Sequence, residues 1–198
     1  MAKLVLATSS TIRQQILSDA GVSFEAIAAR IDESSIKDAL LADAQPPRNI
    51  ADALAELKAQ KVAMRHPNSL ILAMDQVLVA DGELFDKPNQ RAEAKTQLQS
   101  LSGTSHHLIS AAVAYENNAP VWRSVKTAKL TMRPLSDAFL DQYLEHEGDA
   151  ILNCVGAYRL EGLGAQLFTS IEGDYFTILG LPLLEILAFL RTRGHLVS

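Results

Sequence analysis

Apolar residues crowd together at 3–7 (KLVLA) and stop at Thr8-Ser9-Ser10, which reads as a buried strand running into a loop. From 11 to about 20 the spacing becomes helical. Ile12, Ile16 and Ala20 recur every fourth residue with Leu17 beside them, and Gly21 follows as a left-handed cap. Residues 24–28 form a second strand-like run. Residues 30–49, with Asp-Glu-Ser-Ser and Pro46-Pro47, show no period and read as irregular. Ile50, Ala53, Leu54 and Leu57 then fit i, i+3, i+4, i+7, an amphipathic helix reaching about Arg65 and stopped by Pro67-Asn68.

Residues 70–80 (LILAMDQVLVA) are almost continuously apolar, the mark of a central strand covered on both faces. Asp81-Gly82 is a turn signal that lets 83–85 pair back as a hairpin. A helix is expected over 89–101, closed by Ser102-Gly103. Strands over 106–115 and 122–132 turn at Asn117-Asn118. Phe139, Leu140, Tyr143 and Leu144 mark a further helix, and Leu183, Ile186, Leu187 and Leu190 the last. Residues 150–180 read as short strands among loops, with five glycines. This order predicts an α/β fold with some antiparallel pairing, in one continuous domain over 1–198 without repeat or linker.

Composition narrows the function classes. At 198 residues, 48% hydrophobic and 21% charged, the chain has the profile of a globular protein, not a disordered one. Its formal net charge of −5 argues against a nucleic-acid polymer as partner. The single cysteine, Cys154, permits no intramolecular disulfide, in keeping with a reducing cytoplasm. No apolar run approaches the ~20 residues of a membrane span. A soluble, cytoplasmic protein is expected.

Asp75 interrupts the longest apolar strand. A carboxylate there is costly unless paired, hydrogen-bonded or metal-bound, and at a strand end in an α/β fold it is placed to hold a metal or activate water. The alternative is a bulge that satisfies backbone groups. Thr8, Ser9, Ser10 and Arg13 bring hydroxyls, first-turn N–H groups and a guanidinium to one helix N-terminus, as phosphate sites do. Ser10 or Thr11 could equally be a plain cap, and the stretch is no Walker A loop. Taken alone, Lys87 in Asp86-Lys87-Pro88 reads as a surface lysine, and Lys58 and Lys61, three apart, as a solvated helix face. Asp32-Glu33-Ser34-Ser35 offers either hard oxygen ligands for Mg²⁺ or an acidic first helical turn. Glu161-Gly162-Leu163-Gly164 fails the dinucleotide fingerprint, and its glycines read as allowing close backbone approach. His106 and His107 point to opposite faces of a strand, against a metal site. Cys154 reads as a small core residue. Carboxylates, lysines, an arginine and hydroxyls together suit metal-assisted phosphate chemistry.

Seven segments in order resemble the Maf family of nucleoside triphosphate pyrophosphatases: LVLATSSTIRQQIL, IDES, LKAQKVA, AMDQVLVADGELFDKP, LSGTSHH, VGAYRLEGLGAQLF and IEGDYFTILGLPL, spanning 4 to about 194. The resemblance implies an α/β fold like that of inosine triphosphate pyrophosphatases, an elongated mixed sheet flanked by helices with two lobes around a cleft. It implies hydrolysis between the α and β phosphates to a nucleoside monophosphate and pyrophosphate, a house-cleaning chemistry, with Mg²⁺ or Mn²⁺ as divalent metal cofactor. Asp75 then falls on the catalytic acid, which accepts the water's proton and binds metal, and Glu33 on a second acidic metal position. Lys58 and Lys87 fall on phosphate-contacting lysines, and Ser10 and Arg13 on the N-terminal phosphate loop. That loop commonly reads Ser-Pro-Arg-Arg where Ser10-Thr11-Ile12-Arg13 stands, so one arginine is absent.

Three positions separate substrate branches of the family. They read Arg, Thr and Gln for dTTP/UTP, and Trp, Gln and Glu for 7-methyl-GTP. Here they are Ile12, Gln76 and Glu161, two of three on the 7-methyl-GTP side. The Glu161 carboxylate suits the N1–H and amino donors of guanine. The expected partner is a small nucleotide, with no nucleic-acid polymer and no membrane, and a homodimer accords with the resemblance. The competing reading is a non-catalytic nucleotide-binding regulator of cell division and septum formation.

Overall fold

The computed structural model describes residues 2–197. β1 (Lys3–Ala7) leads into α1 (Thr11–Asp19), and Gly21 follows it at φ +77°. β2 (Glu25–Ala26) is shorter than the apolar run suggested, because it pairs only with Val5 and Leu6 of β1. The stretch read as irregular is mostly helical: α2 (Glu33–Ala42) and the start of α3 (Pro47–Ala63). Asp32 caps α2, accepting the Ser35 N–H at 3.2 Å. No residue of α2 is buried, so no apolar stripe announces it. Pro47 opens α3, where its missing N–H costs nothing.

β3 (Ser69–Ala80) and β4 (Glu83–Phe85) form the expected hairpin, with Asp81 and Gly82 both at positive φ. α4 (Arg91–Leu101) follows. β5 (Ser105–Glu116) and β6 (Ala119–Met132) meet at Asn117-Asn118, also both at positive φ. After α5 (Asp137–Glu147) come three 3₁₀ turns, Gly148–Asn153, Val155–Ala157 and Leu163–Leu167, where short strands were expected. The only strand in that region is β7 (Phe168–Glu172). α6 (Tyr175–Ile178) and α7 (Leu183–Thr192) complete the order. The five-glycine stretch bends because its glycines are needed at close quarters. A Cβ on Gly156 would lie 2.5 Å from Leu78 Cδ1.

The result is a mixed α/β protein with a seven-stranded sheet of order β2-β1-β3-β5-β6-β7, β4 pairing with β3. β1 runs parallel to β3, from Lys3↔Ser69 to Ala7↔Ala73. The chain divides into two compact units. The first comprises residues up to Gln76, Ser110–Lys126 and those from Leu179 onward; the second comprises Val77–Ile109 and Thr127–Ile178. Within the first unit, Val5, Ala7, Ile71 and Ala73 are buried against Ala59, Val62 and Ala63 of α3. Within the second, Leu78, Leu98, Leu101, Leu130, Leu140 and Tyr143 anchor the larger core. No helix among the described residues is long and apolar enough to cross a membrane.

Candidate active site

Alternation along β3 sets Ile71, Ala73 and Asp75 on one face. The first two are covered by α3, and Asp75 continues that face beyond the last β1 pair, Ala7↔Ala73. One turn back from Val62 along α3 stands Lys58. Its Nζ lies 2.6 Å from Asp75 Oδ1 and 2.8 Å from Glu33 Oε1. The Asp75 side chain is 6% exposed and that of Glu33 41%.

The shared solvated face expected for Lys58 and Lys61 is not found. The buried stripe of α3 is Ile50, Ala51, Leu54, Ala55, Lys58, Ala59, Val62 and Ala63, so Lys58 sits in its middle while Lys61 is exposed. The stripe runs through Ala51, Ala55, Ala59 and Ala63, which the apolar spacing of 50, 53, 54 and 57 overlooked.

Burial pushes the Asp75 carboxyl above the ordinary carboxylate range, against the pull of Lys58 and Arg13. Arg13 is held nearby: its Nη1 donates to the Met74 carbonyl at 3.0 Å. A Cβ on Gly180, at φ +97°, would come within 2.8 Å of Arg13 Nε and Nη2, so glycine is what seats this guanidinium. Burial lowers the Arg13 pKa, and the charges of Asp75 and Glu33 oppose it.

Ser10 is the cap of α1, its Oγ accepting the Arg13 N–H at 3.5 Å, while its own N–H donates to Thr8 Oγ1 at 3.1 Å. Ile12 is half-buried on the same helix. Gln76 follows Asp75 and donates from Nε2 to Ser110 Oγ at 3.0 Å. The first unit therefore brings together Glu33, Lys58 and Asp75, with the Arg13 backbone contact beside Asp75.

Lys87 and Glu161 belong to the second unit. Lys87 is exposed just after β4. Its charge reaches Cys154, a half-buried thiol pushed up to about 11 by burial and then by Glu161. Cys154 is thus less buried than the core residue expected. Glu161 Oε1 accepts from Arg159 Nε at 3.1 Å, and Arg159 Nη1 donates to Glu147 Oε2 at 3.0 Å. Neither Arg159 nor Glu147 stood out in the sequence, although Arg159 lies two positions before Glu161.

Asp75 and Glu33 offer hard oxygen donors of the kind a divalent ion takes. Mg²⁺-type ions bind through one or two carboxylates plus water and phosphate oxygens, and here the two carboxylate oxygens face the Lys58 ammonium, which holds the place between them. Among the described residues no group of three or more His, Cys, Asp or Glu assembles.

Lys58→Met should lower stability by roughly 2 kcal/mol, less than the cost of breaking a fully buried pair because Glu33 is half-exposed and Asp75 can take up a proton. Adding Asp75→Asn to that variant should restore most of the loss. Urea unfolding of both variants at neutral pH checks this, and additive losses would contradict it.

The site of this mixed α/β protein is thus a lysine clamped between two carboxylates, Asp75 in the middle of β3 and Glu33 at the start of α2. The model of the Maf-like protein family matches residues 3–193, and the chain belongs to that family. It is 51% identical over 194 residues to "Nucleoside triphosphate pyrophosphatase 1" of Jannaschia sp. (strain CCS1), covering 98% of each chain. It is 50% identical over 196 residues to a "Nucleoside triphosphate pyrophosphatase" of Caulobacter vibrioides, covering 99% of this chain and 98% of the other. A "7-methyl-GTP pyrophosphatase" of Rhizobium meliloti (strain 1021) is 48% identical over 191 residues, covering 96% of each.

Proposed function

We propose that this protein hydrolyses nucleoside triphosphates between the α and β phosphates, releasing a nucleoside monophosphate and pyrophosphate. The observation that carries the reading is the Lys58 ammonium held at 2.6 Å by buried Asp75 and at 2.8 Å by Glu33. Names of relatives about half identical over their full length support it. A Mg²⁺ or Mn²⁺ ion, when bound by Asp75 and Glu33, would offset phosphate charge and lower the pKa of water.

Asp75, its basicity raised by burial, takes the proton of the attacking water as the bond to the bridging oxygen breaks. Lys58 and Arg13 counter the triphosphate's negative charge, with Ser10 at the N-terminus of α1 adding a donor. For the base, Glu161 favours guanine or 7-methylguanine over thymine and uracil. A carboxylate accepts from adjacent N–H donors, which guanine presents and the pyrimidines do not.

The test is chromatographic product analysis on purified protein with Mg²⁺ or Mn²⁺ and a panel of 7-methyl-GTP, GTP, dTTP, UTP and CTP. Monophosphate plus pyrophosphate, fastest from 7-methyl-GTP, is the expected result. Diphosphate plus phosphate would overturn the reaction, and a preference for dTTP or UTP would overturn the base assignment.

A further inference from the structure

Glu147 ends α5 with its side chain 3% exposed, and both its oxygens are engaged. Oε1 accepts the Leu163 N–H at 2.8 Å, and Oε2 accepts from Arg159 Nη1 at 3.0 Å. The two glycines after Glu161 make room for this arrangement. A Cβ on Gly162 would lie 2.6 Å from Glu147 Oε1, and one on Gly164 would lie 2.3 Å from the Arg159 carbonyl oxygen. The Arg159 backbone is fixed as well, its N–H donating to the hydroxyl of buried Tyr143 at 3.3 Å. Held at backbone and at Nη1, the guanidinium aims its Nε–H at Glu161 Oε1, 3.1 Å away.

We propose that Arg159, anchored by Glu147, is a positioning residue that sets the Glu161 carboxylate for reading a guanine-type base. The proposal rests on the functional reading above. Arg159 takes one lone pair of Oε1 and leaves Oε2 to accept from the adjacent N1–H and amino donors of the base. A planar guanidinium suits this task because its fork links two carboxylates in one fixed geometry, Glu147 at one nitrogen and Glu161 at another. Uracil and thymine present a single N–H between two carbonyls, and a carboxylate fixed in this way repels those carbonyl oxygens. The segment Arg159-Leu160-Glu161-Gly162-Leu163-Gly164 is then a preorganised reader, its glycines serving the clamp.

The test pairs calorimetric binding of 7-methyl-GMP and UMP, which need no turnover, with steady-state kinetics on 7-methyl-GTP. Arg159→Gln should weaken 7-methyl-GMP about tenfold, leave UMP unchanged, and raise KM with kcat nearly constant, since ground-state base recognition is what is lost. Arg159→Lys should recover part of the affinity. The double variant Arg159→Gln/Glu161→Gln should bind no more weakly than Glu161→Gln alone, because Arg159 acts through Glu161. Multiplying losses, equal weakening of both monophosphates, or a fall in kcat with unchanged KM would overturn the proposal. So would wild-type protein that does not prefer 7-methyl-GMP. Should Arg159→Gln fail to fold, Glu161→Gln and Arg159→Lys decide together: unchanged 7-methyl-GMP binding in either overturns the proposal, and selective weakening in both, smaller in Arg159→Lys, upholds it. Guanine-selective binding without any triphosphate hydrolysis would remove the proposed reaction and leave this role of Arg159 standing.

Discussion

Asp75→Asn should lower kcat by about three orders of magnitude while leaving KM within a few-fold, the signature of a group that acts in the transition state more than in binding. Asparagine keeps the shape of aspartate, so the Ile71–Ala73 face and its cover of α3 should stay packed. Lys58 keeps its 2.8 Å partner Glu33, so the substitution strands no buried ammonium. It removes the proton acceptor. Measured with the preferred triphosphate at saturating Mg²⁺, the variant separates chemistry from fold. A fall in kcat accompanied by a large fall in thermal midpoint would point to Asp75 as a structural residue. Retained kcat would remove it from the reaction altogether.

Acidification should weaken the fold through a second buried group. His106 is fully buried on β5, its Nε2 2.8 Å from the Tyr158 hydroxyl and its ring against Tyr158 and Phe168. Burial drives its pKa down to about 4, with His107 adding to the effect. The unfolded chain would protonate this histidine near 6.5. A folded pKa below the unfolded one contributes stability that is complete above about pH 6.5 and is lost as pH falls toward 4. The loss reaches roughly 3 kcal/mol at the low end, at 1.36 kcal/mol per unit. His106→Gln keeps a polar partner for Tyr158 without titrating. Its urea-unfolding free energy should therefore change less between pH 7 and pH 4 than that of the wild type, by about that amount. Parallel curves for the two proteins would contradict the assignment.

Much of the fold could be read from the chain because its signals were local. KLVLA and LILAMDQVLVA became β1 and β3 with bounds within a residue of those expected, and Asp81-Gly82 and Asn117-Asn118 became the turns their φ preferences demand. Failures came where stability is tertiary. α2 is at most half-buried, so it carries no strong apolar stripe, and 150–180 traded short strands for 3₁₀ turns whose glycines make close contacts, Gly156 with Leu78 far back in the chain.

For the site, Asp75 announced itself as a charge in an apolar run, and the opposite faces of His106 and His107 followed from strand alternation: one is buried and the other exposed. Lys58 gave no such signal. It became conspicuous only when the alanine stripe of α3 showed it pressed onto β3. Arg159 and Glu147 stayed silent because their pairing spans a turn and a helix end, and no spacing rule reports it.

The first unit is discontinuous. It needs residues up to Gln76, then Ser110–Lys126, and finally the segment from Leu179 that carries Gly180 and α7. During synthesis the second unit's residues are complete while the first still lacks its closing piece. The glycine that seats Arg13 and the Phe189 ring stacked on Trp122 at 4.9 Å both follow the second unit in the chain. A nascent chain therefore carries every proposed catalytic group before Gly180 is made, and the Arg13 guanidinium takes its seat only once the segment from Leu179 has left the ribosome.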